Sequence, residues 1–346
     1  MSEPLIRNLV TQGDRVVVVA LAHTAHIYQL IDGVAEVIVW PFRRGAVEIF
    51  KRWKIARSIR GQFDKAIICT NSFKSALIPW FAKIPHRVGY IGESRGWLLT
   101  QTIENPKRRD RRPMVSYYKL LAGLGGTQGE SKRDDGQESP VLIRNADLVR
   151  KTREKFSVPL GRYTVLAPGA EYGEAKRWPT KYYAQLCKNL LSIGQSVLIL
   201  GSVADAGVAS EIEKYCSNQG LGAEQNEQQD SGVLKNLCAK TSLLEAAWLI
   251  SDAAALVSND SGLMHIGAAY EVPQVAIFGS SSPLHTPPLN KKAQIMWLAL
   301  ECAPCFKRQC PLGHLNCLKG IDVSRVQTAL ELALKGGQAR VNKTDV

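Results

Sequence analysis

A chain of 346 residues exceeds what one hydrophobic core usually organises and predicts two domains. With 45% hydrophobic and 22% charged residues, and no apolar run near the ~18–20 residues of a bilayer-spanning helix, the composition excludes a disordered chain and a helical integral membrane protein. The net charge of +13 is uneven: residues 1–150 hold 24 Lys+Arg against 14 Asp+Glu, the remainder 20 against 17, so the first half suits an acidic partner.

In chain order, residues 1–9 read as a helix, followed by strand-like runs at Val16–Leu21, Glu36–Trp40, Ala66–Thr70 and Arg87–Tyr90 with helical stretches between them. That alternation predicts parallel β/α units. Residues 47–59 carry a helical pattern that could bury Val47, Phe50 and Ile55 while lifting cations towards phosphate. From residue 123 to 140 the composition turns to Gly, Ser, Gln and charge, which predicts a linker. A second series follows: strand 163–167, helix 180–193, strand 196–201, helices 205–217 and 242–250, strand 253–257, helix 261–270, strand 274–278 and a last amphipathic helix 322–335. The expected domains are 1–155 and 156–335, with a flexible tail at 336–346.

Two strand-end loops in the second half carry the chemistry. The run Ser258-Asn259-Asp260-Ser261-Gly262-Leu263-Met264-His265 is a strand end, a tight turn and a helix start. Free N–H groups there, with the helix dipole behind them, form an anion site; an ordinary N-cap made by Asp260 or Ser261 is the plainer alternative. Upstream, Ala167 to Pro179 places Lys176 and Arg177 at another strand end beside a helix start, where open α/β sheets bind ligands. Donors on one loop and cations on the other suit a diphosphate. His265, one turn into its helix, could donate to a phosphate or ribose, or simply pack. Thr241 or Ser242 reads as a helix N-cap.

The blocks Asn71-Ser72-Phe73-Lys74-Ser75-Ala76-Leu77, Ile84-Pro85-His86-Arg87-Val88-Gly89, Pro168–Pro179, Asn259–His265, Ser280-Ser281-Ser282-Pro283 and Thr286-Pro287-Pro288-Leu289 occur in the order found in lipopolysaccharide heptosyltransferases. The chain resembles glycosyltransferase family 9, its heptosyltransferase II group above all. The resemblance implies an α/β, GT-B fold with two Rossmann-like domains facing a central cleft. It also implies an inverting transfer of L-glycero-D-manno-heptose from ADP-heptose to the first heptose of the lipopolysaccharide inner core, with an acceptor of heptosyl-Kdo2-lipid A type. The donor set it points to is Lys176, Arg177, Thr241, Asp260, Ser261, Gly262, Leu263 and His265, with Lys176 also catalytic. The acceptor set is Asn71, Lys74, Arg57, Arg60 and Arg87. No cofactor is required, and no metal-binding acidic pair is expected, since Asp134-Asp135 falls in the linker.

Relatives begin with a strand and an Asp-bearing loop before the helix that residues 1–9 resemble. No residue here matches that Asp, the family's proposed base, and Asp14 and Asp32 fall after the helix. The first domain is therefore expected to lack its first strand, through a start placed too late rather than a shortened protein. Unpaired strand edges or a closed-up sheet should follow. Absence of signal-peptide zones makes the cytoplasm the expected compartment, at the anionic inner face of the inner membrane. No nucleic-acid motif supports that partner. Oligomeric state is not legible.

Cys69, Cys187, Cys216 and Cys238 lie in apolar patterns and read as packing residues. Cys302, Cys305, Cys310 and Cys317, with His314 among them, could enclose Zn²⁺ or an iron–sulfur cluster, or remain thiols in a closed loop. Two other readings compete with the enzyme: a catalytically impaired nucleotide- or lipopolysaccharide-binding relative, and a transferase with a different donor or acceptor.

Overall fold

A computed structural model describes residues 1–42, 45–105, 112–123, 139–217, 232–336 and the backbone of 340–342. The predicted linker at 123–140, Arg43-Arg44 and Asp134-Asp135 lie largely or wholly outside that set. The chain divides into two compact units, Met1–Gln137 and Glu138–Val346.

The first unit runs α1 (Glu3–Thr11), β1 (Val16–Leu21), α2 (Ala22–Ala25), β2 (Val34–Trp40), α3 (Ile49–Ser58), β3 (Lys65–Ile68), α4 (Phe73–Phe81), β4 (His86–Tyr90), β5 (Gln101–Ile103) and α5 (Met114–Leu121). Its strands are parallel but fall into two sheets among the described residues, β1-β2 and β3-β4-β5. Among the described residues β1 pairs with β2 alone and β3 with β4 alone. β1 is apolar throughout, yet every residue of it is only half-buried. Leu5, Ile6 and Leu9 of α1 are buried, and the helix packs on β1 and α5.

The second unit runs α6 (Ala146–Lys155), β6 (Tyr163–Ala167), α7 (Thr180–Ser192), β7 (Ser196–Ile199), α8 (Ala206–Ser217), β8 (Leu234–Asn236), α9 (Leu243–Ser251), β9 (Ala255–Asn259), α10 (Gly262–Ala269), β10 (Gln274–Ile277), β11 (Ala293–Met296), α11 (Asn316–Lys319), α12 (Val323–Leu334) and β12 (Arg340–Asn342). The strands form one parallel sheet in the order β12-β11-β10-β9-β6-β7-β8. β6, β7, β9 and β10 are buried at every residue, which is why they read as unbroken apolar runs rather than alternating ones. The chain leaves β6 towards β7 and β8, then returns to the other side of β6 at β9. The loops after β6 and β9 therefore diverge and open the crevice where such sheets take ligands.

Three expectations are corrected. The domain boundary falls before position 155, because α6 belongs to the second unit. It packs on α9, and Arg153 pairs with Asp252 at 2.7 Å, with Lys155 on Glu245 at 2.5 Å. The stretch 336–346 is not wholly a tail, since residues 340–342 pair with β11. Finally, α3 does not bury Val47 and Phe50: both are exposed, and Arg52 and Ala56 face the core with Ile55 half-buried.

Candidate active site

The site forms where three loops of the second unit meet, after β6, β9 and β10. Its hub is Asn259, the last residue of β9 and fully buried. Asn259 Oδ1 accepts from the Trp178 N–H at 3.0 Å and the Tyr183 hydroxyl at 3.2 Å. Its Nδ2 donates to the Pro168 carbonyl at 2.7 Å and lies 3.4 Å from that of Gly169. One amide thus fixes both ends of the 168–179 loop to the turn that starts α10. The orientation of the amide follows from its partners, donors on one side and carbonyls on the other.

Beside that hub, Lys176 Nζ lies 2.5 Å from Asp260 Oδ2, with side-chain exposures of only 18% and 5%. Thr286, from the loop after β10, places its hydroxyl 3.4 Å from the other Asp260 oxygen. Lys176 also stands 5.2 Å over the Tyr172 ring, whose hydroxyl donates to the Phe306 carbonyl at 2.7 Å. The loops touch closely: a Cβ on Gly173 would meet the Arg308 carbonyl at 2.4 Å, and one on Gly279 the Ala175 carbonyl at 2.6 Å. The buried hydroxyls of Ser280 and Ser281 have no hydrogen-bond partner among the described residues.

Ser261 stands at the N-cap of α10 but its side chain makes no capping bond. Asp260 is not the cap either, being engaged by Lys176 and Thr286. Among the described residues no side chain caps the first N–H groups of α10, and open space lies beside exposed Gly262. A helix start without a cap, next to a held ammonium, attracts an anion through both dipole and charge. His265, half-buried one turn on, has its pKa pushed down to about 4, chiefly by burial, against the opposing pull of Asp260. It is a neutral imidazole at neutral pH, able to offer one N–H.

Residues 52–316 match the family described as glycosyltransferase family 9 (heptosyltransferase). Lipooligosaccharide heptosyltransferase 2 of Haemophilus ducreyi is 40% identical over 272 residues, 77% of this chain and 74% of that protein. Lipopolysaccharide heptosyltransferase 2 of Salmonella typhimurium is 36% identical over 345 residues, 96% of this chain and 94% of that one. The chain belongs to glycosyltransferase family 9. The solved structure of E. coli ADP-heptose lps heptosyltransferase II is similar at a TM-score of 0.78 and 34% identity, covering 96% of this chain and 94% of that one. The fold is accordingly the GT-B fold of that enzyme group, and the protein is a glycosyltransferase.

Among the donor residues that the family pattern singles out, the structure brings Lys176, Asp260, Ser261, Gly262, Leu263 and His265 together on adjoining turns. Arg177 is turned away: its Nη2 lies 3.5 Å from Asp205 and 3.3 Å from the Ala170 carbonyl, bracing the β7–α8 turn. Thr241 is not the cap of α9. That role falls to Ser242, which exchanges capping-box hydrogen bonds with Glu245 at 3.2 and 2.7 Å. Thr241 stands half-buried just before it.

In the first unit the acceptor candidates are less uniform. Arg57 and Arg60 are exposed on and just after α3. Arg87 is held by the fold, its guanidinium donating to the Leu98 and Ile84 carbonyls at 2.7 and 2.5 Å, so the acceptor role expected of it is not favoured by its geometry. Asn71 sits on the surface, Nδ2 donating to Asn105 at 3.1 Å, and Lys74 is half-buried in the first turn of α4. Arg95, which sequence reasoning missed, is fully buried and shapes this loop. It donates to the carbonyls of Tyr90, Thr70 and Ser72 and, at 2.8 Å, to the Ser75 hydroxyl. A guanidinium with its donors satisfied by carbonyls can be buried, and no periodicity announces it.

Cys302, Cys305, Cys310 and Cys317 line one cavity of about 20 Å³ with His314. All eight cysteines are free thiols. Backbone N–H groups, that of Leu315 foremost, lower the Cys310 pKa, whereas burial pushes Cys317 up to about 11. Among the described residues no three His, Cys, Asp or Glu side chains converge to hold a metal ion. Cys187, Cys216 and Cys238 are buried packing residues, as their sequence pattern predicts, and Cys69 is half-buried.

Proposed function

We propose that the protein transfers L-glycero-D-manno-heptose from ADP-heptose to the first heptose of a lipopolysaccharide inner core of heptosyl-Kdo2-lipid A type, with inversion. The observation that carries this reading is the ion pair of half-buried Lys176 with buried Asp260 at the uncapped start of α10, on the crevice between β6 and β9. The donor diphosphate would lie on the N–H groups of the Ser261–Leu263 turn and on Lys176. As the acceptor hydroxyl attacks the anomeric carbon, the bond from that carbon to the phosphate oxygen breaks and negative charge grows on departing ADP. Donors already fixed in place favour that charge in the transition state more than in the ground state. Asp260, held by Thr286, keeps the Lys176 ammonium in position. His265, neutral, can donate to the donor without adding charge. The proton of the acceptor hydroxyl goes to a base that this chain's described residues do not identify.

Lys74, Asn71 and the exposed Arg57 and Arg60 are the acceptor-side groups in this reading, suited to the phosphates of a charged glycolipid core. The protein would work in the cytoplasm, peripherally on the inner face of the inner membrane. No described helix is long and apolar enough to cross a membrane. The test is a transfer assay with ADP-heptose and a purified heptosylated core acceptor, followed by mass spectrometry. A product heavier by one heptose, with release of ADP, is expected. Release of ADP without a glycosylated product, or no turnover of ADP-heptose, would count against the reading.

A further inference from the structure

Helix α3 is arranged against the usual preference of a surface helix. Its inward side chains are Arg52 and Ala56, exposed by 4% and 0%. Arg52 donates to the Lys74 carbonyl at 2.9 Å and the Val47 carbonyl at 2.5 Å, and its guanidinium lies 4.0 Å from the centre of the Phe42 ring. Its outward side chains include Phe50 at 88% exposure, Ile49 at 52% and Trp53 at 46%. A single exposed apolar residue needs no explanation, but three within five positions, with a charge turned inward instead, form a patch that a partner would cover.

Cations are interleaved with that patch. Lys51, Lys54, Arg57 and Arg60 are all exposed, and Arg57 stacks 4.8 Å over the Trp53 ring. Phe50, Trp53 and Arg57 are spaced three and four residues apart and so share one face. Lys51 pairs with Glu48, while Lys54, Arg57 and Arg60 have no acidic partner among the described residues. Aromatic and aliphatic side chains mixed with Lys and Arg match a lipid headgroup boundary, where rings enter the acyl edge and cations meet phosphates.

We propose that α3 is a membrane-docking helix that lays Ile49, Phe50 and Trp53 into the surface of an anionic phospholipid bilayer, with Lys54 on the headgroup phosphates and Arg57 and Arg60 at the same level, left to the phosphates of the acceptor core standing in that layer. This rests on the reading that the acceptor is carried in a membrane, and it assigns the surface that brings the enzyme there. The test is co-flotation of the full chain with phosphatidylcholine vesicles, with and without phosphatidylglycerol. Wild type is expected to bind the anionic vesicles, less so in high salt. The Phe50→Ser/Trp53→Ser double variant should lose at least about tenfold in binding, since two buried apolar side chains are removed. Its ADP affinity should match wild type, which also reports that it folds. Equal binding by variant and wild type would overturn the assignment, as would failure of wild type to bind vesicles, including a case in which it associates with a protein instead. If vesicle binding falls as expected but ADP-heptose is not turned over, the enzymatic reading fails while the surface assignment stands.

Discussion

The Asn259→Asp variant probes the joint that sets the spacing of the two donor loops. The substitution keeps the shape and the Oδ1 acceptor for Trp178 and Tyr183 but replaces the Nδ2 donor, which faces the Pro168 carbonyl at 2.7 Å, with an oxygen. If ionised, the new carboxylate is a fully buried charge against a carbonyl, beside Asp260. A lost buried hydrogen bond and an uncompensated charge together cost about 3–5 kcal/mol. For a unit of this size that lowers the melting midpoint by roughly 6–20 °C. Burial raises the pKa of the new carboxyl above its unfolded value. The native state then holds a proton that the unfolded chain has released, so the variant's stability is fullest at low pH and is lost as pH rises through the folded pKa. Scanning calorimetry of variant and wild type at pH 5 and 8, with an ADP titration at each, should show the larger deficit at the higher pH and weaker ADP binding throughout. A midpoint within about 2 °C of wild type at both values, with unchanged ADP affinity, would refute the role given to Asn259.

Two further outcomes follow from the same structure. Charge reversal at Arg57 and Arg60 should weaken binding of a soluble phosphorylated core acceptor while leaving ADP affinity intact, because the described donor loops all lie in the second unit; an equal loss of ADP affinity in calorimetric titration would contradict the division of roles. His265 has its pKa pushed down to about 4 in the fold from the ordinary 6.5, so the unfolded chain takes up its proton first as the solution is acidified, and the stability its neutral form contributes should fall from about pH 6.5 down to about pH 4. A His265→Gln variant should show a shallower acid loss in denaturant titrations, and an unchanged slope would contradict the burial argument.

Much of this was legible in the sequence for definite physical reasons. β6, β9 and β10 are buried on both faces, so Tyr163–Ala167, Ala255–Asn259 and Gln274–Ile277 stand out as apolar runs closed by Gly-, Pro- or Asn-bearing turns. Those turns carry Lys176 and the start of α10, so the loops proposed to hold the donor could be located along with the strands. The short strands Gln101–Ile103 and Leu234–Asn236 were not legible, being three residues long and half-exposed, without any buried stripe. Asn259 reads as a turn residue; only its four neighbours in space reveal a hub. The burial of Arg52 and of Arg95 was not legible because charge is ordinarily a surface signal, and burial here depends on carbonyls far away in sequence. The same preference misdirected the reading of α3, where periodicity located the helix but assigned its inner face wrongly.

The measurement that bears most directly on the central claim is heptose transfer from ADP-heptose by the Lys176→Ala variant, with ADP affinity measured alongside. Lys176 is the cation fixed by Asp260 at 2.5 Å beside the uncapped α10 turn. Removing it should raise the barrier by about 2–4 kcal/mol, slowing transfer roughly 30- to 1,000-fold, because the charge on departing ADP loses its fixed counter-charge. A transfer rate within about threefold of wild type would contradict the assignment of the donor site.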